Sequence, residues 1–174
     1  YLASLSGAAD ELFISTGCWQ LHSFPWSPVR AELAVPSAQD DALVVHDVRT
    51  RAKRVVVRAP GAILADYSWS PDGMRLAYGR YDATASEYTG GRSAHIYAVS
   101  AGGGEPVQLT FGHSRNVFPT WSPDGRWIAF SSNRTGRPEV YIVPSEGGTS
   151  EQLTSDGGDE PVWCPVVTRP AGAR

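Results

Sequence analysis

Trp121-Ser122-Pro123-Asp124-Gly125-Arg126-Trp127-Ile128-Ala129-Phe130 decides the fold, because an earlier stretch nearly repeats it: Trp69-Ser70-Pro71-Asp72-Gly73-Met74-Arg75-Leu76-Ala77-Tyr78. In Ser-Pro-Asp-Gly, proline presets φ at the second turn position and aspartate can bond its own backbone. Glycine then takes the left-handed conformation that returns the chain into a paired strand. Beyond the turn the two copies stay in register. A short strand follows, His95-Ile96-Tyr97-Ala98-Val99 against Glu139-Val140-Tyr141-Ile142-Val143. A glycine turn comes next, Gly102-Gly103-Gly104 against Gly147-Gly148, then Gln108-Leu109-Thr110 against Gln152-Leu153-Thr154. Pro119-Thr120-Trp121 and Pro161-Val162-Trp163 open the units that follow.

Weaker copies flank this pair, Trp26-Ser27-Pro28 upstream and Trp163-Cys164-Pro165 downstream, so the tryptophans stand 43, 52 and 42 residues apart. A period of about 42 residues is that of one four-stranded blade of a β-propeller. The single long interval is accounted for by a Gly/Ser/Thr-rich stretch from Tyr81 to Arg92, an enlarged loop. The fold expected is all-β, a β-propeller of four-stranded antiparallel blades with about four blades present. A blade cannot bury its own faces, so stability must come from stacking, and the tryptophans are expected to be wedges between blades.

These residues resemble the TolB-type, WD-like repeat, which is also found in the propellers of prolyl oligopeptidase-type and tricorn-type peptidases. The most specific stretch is Pro119 to Thr154, including Ser131-Ser132-Asn133-Arg134-Thr135-Gly136. Laid onto the repeat, the chain divides into a partial blade at 1–23, a degenerate one at 24–59, full blades at 60–112 and 113–155, and the first strand of another at 156–167. Residues 168–174 lack the Asp-Gly turn and read as a disordered tail. Two architectures fit. The last strand could complete the first partial blade and close a ring of four, or the blades belong to a ring of six to eight. Families resembling this repeat generally use six or more blades, which favours the second. An open set of blades would leave strand edges bare, and self-association through those edges is then expected.

Composition narrows the function. The 174 residues include 18 Gly, 13 Pro and 6 Trp, the make-up of many short elements joined by tight turns. A net charge of −3 supplies no basic field for nucleic acid. No apolar run reaches the roughly 18–20 residues of a membrane span, so membrane insertion is not expected. The densest basic stretch, Arg49, Arg51, Lys53, Arg54 and Arg58, reads as the solvated hairpin of an outer strand pair. Cys18 and Cys164 carry no metal or disulfide pattern. The chain does not begin with Met and has no secretory leader at its start, which suggests a processed product or a piece of something longer.

Catalytic patterns are absent. Gly112-His113-Ser114-Arg115-Asn116 and Gly91-Arg92-Ser93-Ala94-His95 lack the second glycine of a nucleophile elbow and precede no helix. Gly102-Gly103-Gly104 leads into a strand, not a helix, and is no phosphate cradle. His22, His46, His95 and His113 have no ligand spacing. No cofactor and no metal are expected, although His22 and His113 fall where certain propeller lyases bind a metal. Asn133-Arg134-Thr135 matches a glycosylation acceptor with nothing to give it a context.

Loops joining consecutive blades gather on one face around the channel, and loops on a rigid scaffold carry function. His22, Asp66, His113, Arg115, Asn116, Asp159 and Glu160 are therefore the expected partner-binding rim. The enlarged loop is a second candidate contact. The resemblance to TolB implies a non-catalytic scaffold that binds a protein or peptide partner in a periplasmic or extracytoplasmic setting. The N-terminal α/β domain of TolB has no counterpart in Tyr1 to Asp10. The alternative implied by the same repeat is the substrate-gating propeller of a prolyl oligopeptidase-like serine peptidase.

Overall fold

The computed structural model describes residues 26–82 and 93–163, and every regular element within them is a strand. Blade I holds β1 (Glu32–Pro36), β2 (Ala42–Asp47) and β3 (Lys53–Arg58). Blade II holds β4 (Ala62–Trp69), β5 (Arg75–Asp82), β6 (Ala94–Ser100) and β7 (Val107–Gln108). Blade III holds β8 (Asn116–Trp121), β9 (Trp127–Ser132), β10 (Glu139–Pro144) and β11 (Glu151–Gln152). Each sheet is antiparallel and ordered as the chain runs. Trp26 pairs with Leu33 through an isolated bridge, which marks where a further strand of blade I borders β1. The architecture is a partial all-β propeller. The expected partial blade at 1–23, His22, both cysteines, most of the enlarged loop and the tail at 168–174 lie outside the described residues.

Ser-Pro-Asp-Gly makes the same turn twice. The Gly73 amide donates to the Ser70 carbonyl at 2.9 Å, the Met74 amide to Asp72 Oδ1 at 2.9 Å, and the Arg75 amide to Ser70 Oγ at 2.8 Å. Gly125, Arg126 and Trp127 repeat these bonds onto Ser122 and Asp124 at 2.9, 3.1 and 2.9 Å. Both glycines have the positive φ that the turn demands, +66° and +71°. Gly73 also meets a neighbour: a Cβ there would lie 2.4 Å from Val29 Cγ2 of blade I.

Gln-Leu-Thr explains how the outermost strands can be two residues long. The Ile96 amide donates to Thr110 Oγ1 at 2.8 Å, so a side-chain hydroxyl continues the ladder where the backbone leaves it. Gln108 Nε2 returns to the Thr110 carbonyl at 2.8 Å. Val140 with Thr154, and Gln152 with Thr154, repeat the pair at 2.9 and 2.6 Å.

The core lies between sheets. One cluster fills the space between blades I and II, with Leu43, Val45, Leu64, Trp69, Leu76 and Tyr78. The other joins blades II and III, with Ile96, Leu109, Trp121, Ile128, Phe130 and Tyr141. Two tryptophans each stitch their own segment to the inner strand before it. Trp121 Nε1 donates to the Ser68 carbonyl and Trp163 Nε1 to the Thr120 carbonyl, both at 3.1 Å. Arg75 stacks 4.7 Å over the Trp121 ring and pairs with Glu146 at 2.8 Å. Trp and Arg thus pin what apolar burial brings together.

The basic stretch is indeed the β2–β3 hairpin with β3 outermost, but Arg54 is half-buried and ion-paired. Its guanidinium grips Glu32 through two bonds of 2.7 and 2.8 Å, and its Nε reaches the Ala101 carbonyl of blade II at 2.9 Å. Glu32 is buried, so its charge requires that partner.

Candidate partner-binding groove

The inner strands do not run straight. Pairing of β4 with β5 jumps between Ala65 and Ser68, and pairing of β8 with β9 jumps between Val117 and Thr120. Inside each jump one residue adopts left-handed backbone: Asp66 at φ +57° and Phe118 at φ +55°. Glu160 does the same at φ +47° in the segment leading to Trp163. All three stand three positions before the tryptophan of their unit. Such backbone costs a non-glycine residue about 1–3 kcal/mol and persists only when its surroundings over-determine it. Here the surroundings are the bulge and the tryptophan stitch.

The three side chains line one groove of about 500 Å³. Its walls are aromatic and proline-rich, with Tyr67, Trp69 and Trp121 alternating with Pro71, Pro123 and Pro161. Trp26 and Pro28 bring blade I to the same groove. It therefore runs along the inner edges of all the described blades, where the channel of a propeller lies.

Asp66 and Glu160 are propped differently. The Tyr81 hydroxyl donates to the Asp66 carboxylate. Gly79 makes room for this pair, since a Cβ there would come within 3.2 Å of the Tyr81 ring and 3.3 Å of Asp66 Oδ2. Burial first, and the Asp66 charge second, push the Tyr81 phenol far above its ordinary value, so it remains a proton donor. Arg115 lies over the same ring at 5.9 Å. In the next unit Ser131 replaces Gly79, and Ser131 Oγ accepts the Glu160 amide at 2.9 Å.

Of the expected rim, Asp66 and Glu160 meet at the groove. Arg115 is exposed and does not line it; its guanidinium lies over Tyr81, the partner of Asp66. His113 and Asp159 are exposed but do not line it. Asn116 is a correction. It is 0% exposed, its Nδ2 donates to the Ala94 and Ser114 carbonyls at 2.9 and 3.1 Å, and its Oδ1 accepts from Arg134 at 3.0 Å. A side chain spent in this way ties strands and offers nothing to a partner. No three metal-ligating side chains gather among the described residues. Phe118 was missed, because the residue before a proline is normally extended. The signal available was its position, three before tryptophan, shared with Asp66 and Glu160.

A run of antiparallel blades around an inner groove defines a β-propeller, and comparison with known proteins names the kind. The chain matches the family model of the TolB beta propeller domain over residues 8–168, and it belongs to that family. It is 36% identical over 105 residues to an uncharacterized peptidase, YuxL, of Bacillus subtilis, covering 59% of this chain and 16% of the relative. It is 36% identical over 143 residues to the Tol-Pal system protein TolB of Bordetella pertussis, covering 61% of this chain and 32% of that protein. The dipeptidyl peptidase 4 structure of Porphyromonas gingivalis superimposes with a TM-score of 0.58 at 10% identity, over 75% of this chain and 25% of that one, a likeness of fold alone. The chain thus spans a third or less of the length of these relatives.

Proposed function

We propose that this chain is a non-catalytic propeller scaffold that takes a protein or peptide partner along the groove of its inner strands. The observation that carries the reading is that three strained residues, Asp66, Phe118 and Glu160, face the same groove. Strain held at equivalent positions of successive repeats is expensive, and binding surfaces are where such expense is commonly found. Aromatic and proline walls add rigid contact area that costs little to order on binding. The similarity to a Tol-Pal system protein supports a protein partner and an extracytoplasmic setting.

A photo-cross-linking residue placed at Phe118, with Val55 on β3 as control, tests this in the source cells. The expected result is a protein adduct from position 118 and none from 55. With the captured partner purified, Phe118→Ala is expected to weaken binding about tenfold, as loss of an aromatic anchor does. Adducts only from position 55, or an affinity unmoved by the substitution, would contradict the reading.

A second reading is favoured by the match to a named peptidase: the propeller as the substrate-gating part of a prolyl oligopeptidase-like enzyme. The coding sequence downstream decides it, since an α/β segment with Gly-x-Ser-x-Gly would establish the peptidase and a stop codon would exclude it.

A further inference from the structure

We infer that the groove selects an extended segment presenting arginine; this rests on the groove being the binding surface, as proposed above. Among the described residues that line it, the only charged side chains are Asp66 and Glu160, and both are acidic. In repeat order they flank Phe118, so an aromatic residue stands between two carboxylates at equivalent positions of three consecutive repeat units, on β4, on β8 and in the segment leading to Trp163. Trp26, exposed over 43% of its surface, provides a second accessible ring at the blade I end.

A guanidinium satisfies this arrangement better than any other side chain. It is planar, it stacks on aromatic faces while keeping its N–H donors in plane, and those donors match carboxylates in pairs. An ammonium would gain charge attraction without the stacking geometry. A carboxylate ligand would meet like charge, and a purely apolar ligand would cover Asp66 and Glu160 without pairing them. Arg115 lies 5.9 Å over the Tyr81 ring, and the Tyr81 hydroxyl donates to Asp66, so that carboxylate already has one donor, with a cation nearby, before a ligand arrives.

Fluorescence anisotropy on the 174-residue chain with three labelled peptides tests the inference. All share one extended alanine-serine background, carrying two arginines, two citrullines or two glutamates. Citrulline keeps the shape of arginine and removes the charge. The arginine peptide is expected to bind at least about tenfold more tightly than the citrulline peptide, with no measurable binding of the glutamate peptide. The double variant Asp66→Asn, Glu160→Gln is expected to erase that preference. Asparagine tolerates the left-handed backbone at position 66, so this variant keeps the bulge. Arg115→Gln is expected to tighten the arginine peptide several-fold.

Equal binding of arginine and citrulline peptides, or a preference that survives the double variant, overturns the inference. If that equal binding falls with Phe118→Ala, the groove stands as the binding surface and only the arginine preference fails. If no peptide binds, both fail together.

Discussion

Blades II and III are built from the same repeat, yet they are secured by different means. Leu109 and Leu153 occupy the same place in Gln-Leu-Thr, but Leu109 is 1% exposed and Leu153 is 56% exposed. The first lies in the cluster shared with blade III, and no described blade covers the second. Arg75 leaves blade II to clamp Trp121 and Glu146 of blade III, whereas its counterpart in blade III is Trp127. Blade III instead ties itself. Where blade II has His95, it has the buried Glu139, which accepts from the Thr154 hydroxyl at 2.5 Å, Arg137 at 2.8 Å and the Gly157 amide at 3.0 Å. The motif residues do one local job in every copy. What lies next to the copy decides how much each apolar position contributes.

The largest effect should come from the stitch between the blades. Trp121→Ala is expected to cost about 4 kcal/mol in denaturant unfolding, because it removes a buried indole, its bond to Ser68 and the surface on which Arg75 rests. A loss below about 1 kcal/mol would mean that the blades are not coupled through it. Next comes the matched pair of leucines. Leu109→Ala should cost about 3 kcal/mol and Leu153→Ala less than about 0.5, and equal losses would break the comparison outright.

The two turn glycines sharpen it further. Gly73→Ala should cost about 2 kcal/mol, from left-handed backbone plus collision with Val29, and Gly125→Ala about half as much. At Gly125 the nearest neighbour of a new Cβ is Pro71 at an ordinary 3.5 Å. The smallest effect is the pH response of blade III. The Thr154 hydroxyl, then Arg137 and the Gly157 amide, hold the Glu139 carboxyl below its usual value of 4.5. Its contribution is therefore complete above about pH 4.5 and fades as the pH falls through the lower folded value. Glu139→Gln should flatten the acid limb of the stability curve. An unchanged limb would show that the carboxylate has no such role.

Much of this was legible in advance because the repeat carries its own check. Two in-register copies of Trp-Ser-Pro-Asp-Gly located the turns, the strand order and the tryptophan wedges before any coordinates. β1 to β3 fall within the stretch that the weaker Trp26-Ser27-Pro28 copy and its 43-residue spacing marked as a degenerate blade. The groove was legible only in part. Asp66 and Glu160 could be placed near the channel by topology, but the left-handed backbone both adopt leaves no composition signal. Proline at 119 favours extended backbone at Phe118, and the register jump of β8 against β9 overrides that local preference. Asn116 looked like a loop polar because burial depends on neighbours far away in sequence, Ala94 and Arg134. Arg54 misled for the same reason, since Glu32 stands two strands away.

Whether β4, β8 and the segment leading to Trp163 form one binding surface is tested directly by amide hydrogen exchange of the chain with and without the two-arginine peptide. Slower exchange is expected at residues 66–69, 118–121 and 160–163 together, with the basic hairpin of β2 and β3 unchanged. Protection confined to that hairpin, or to a single blade, would contradict it.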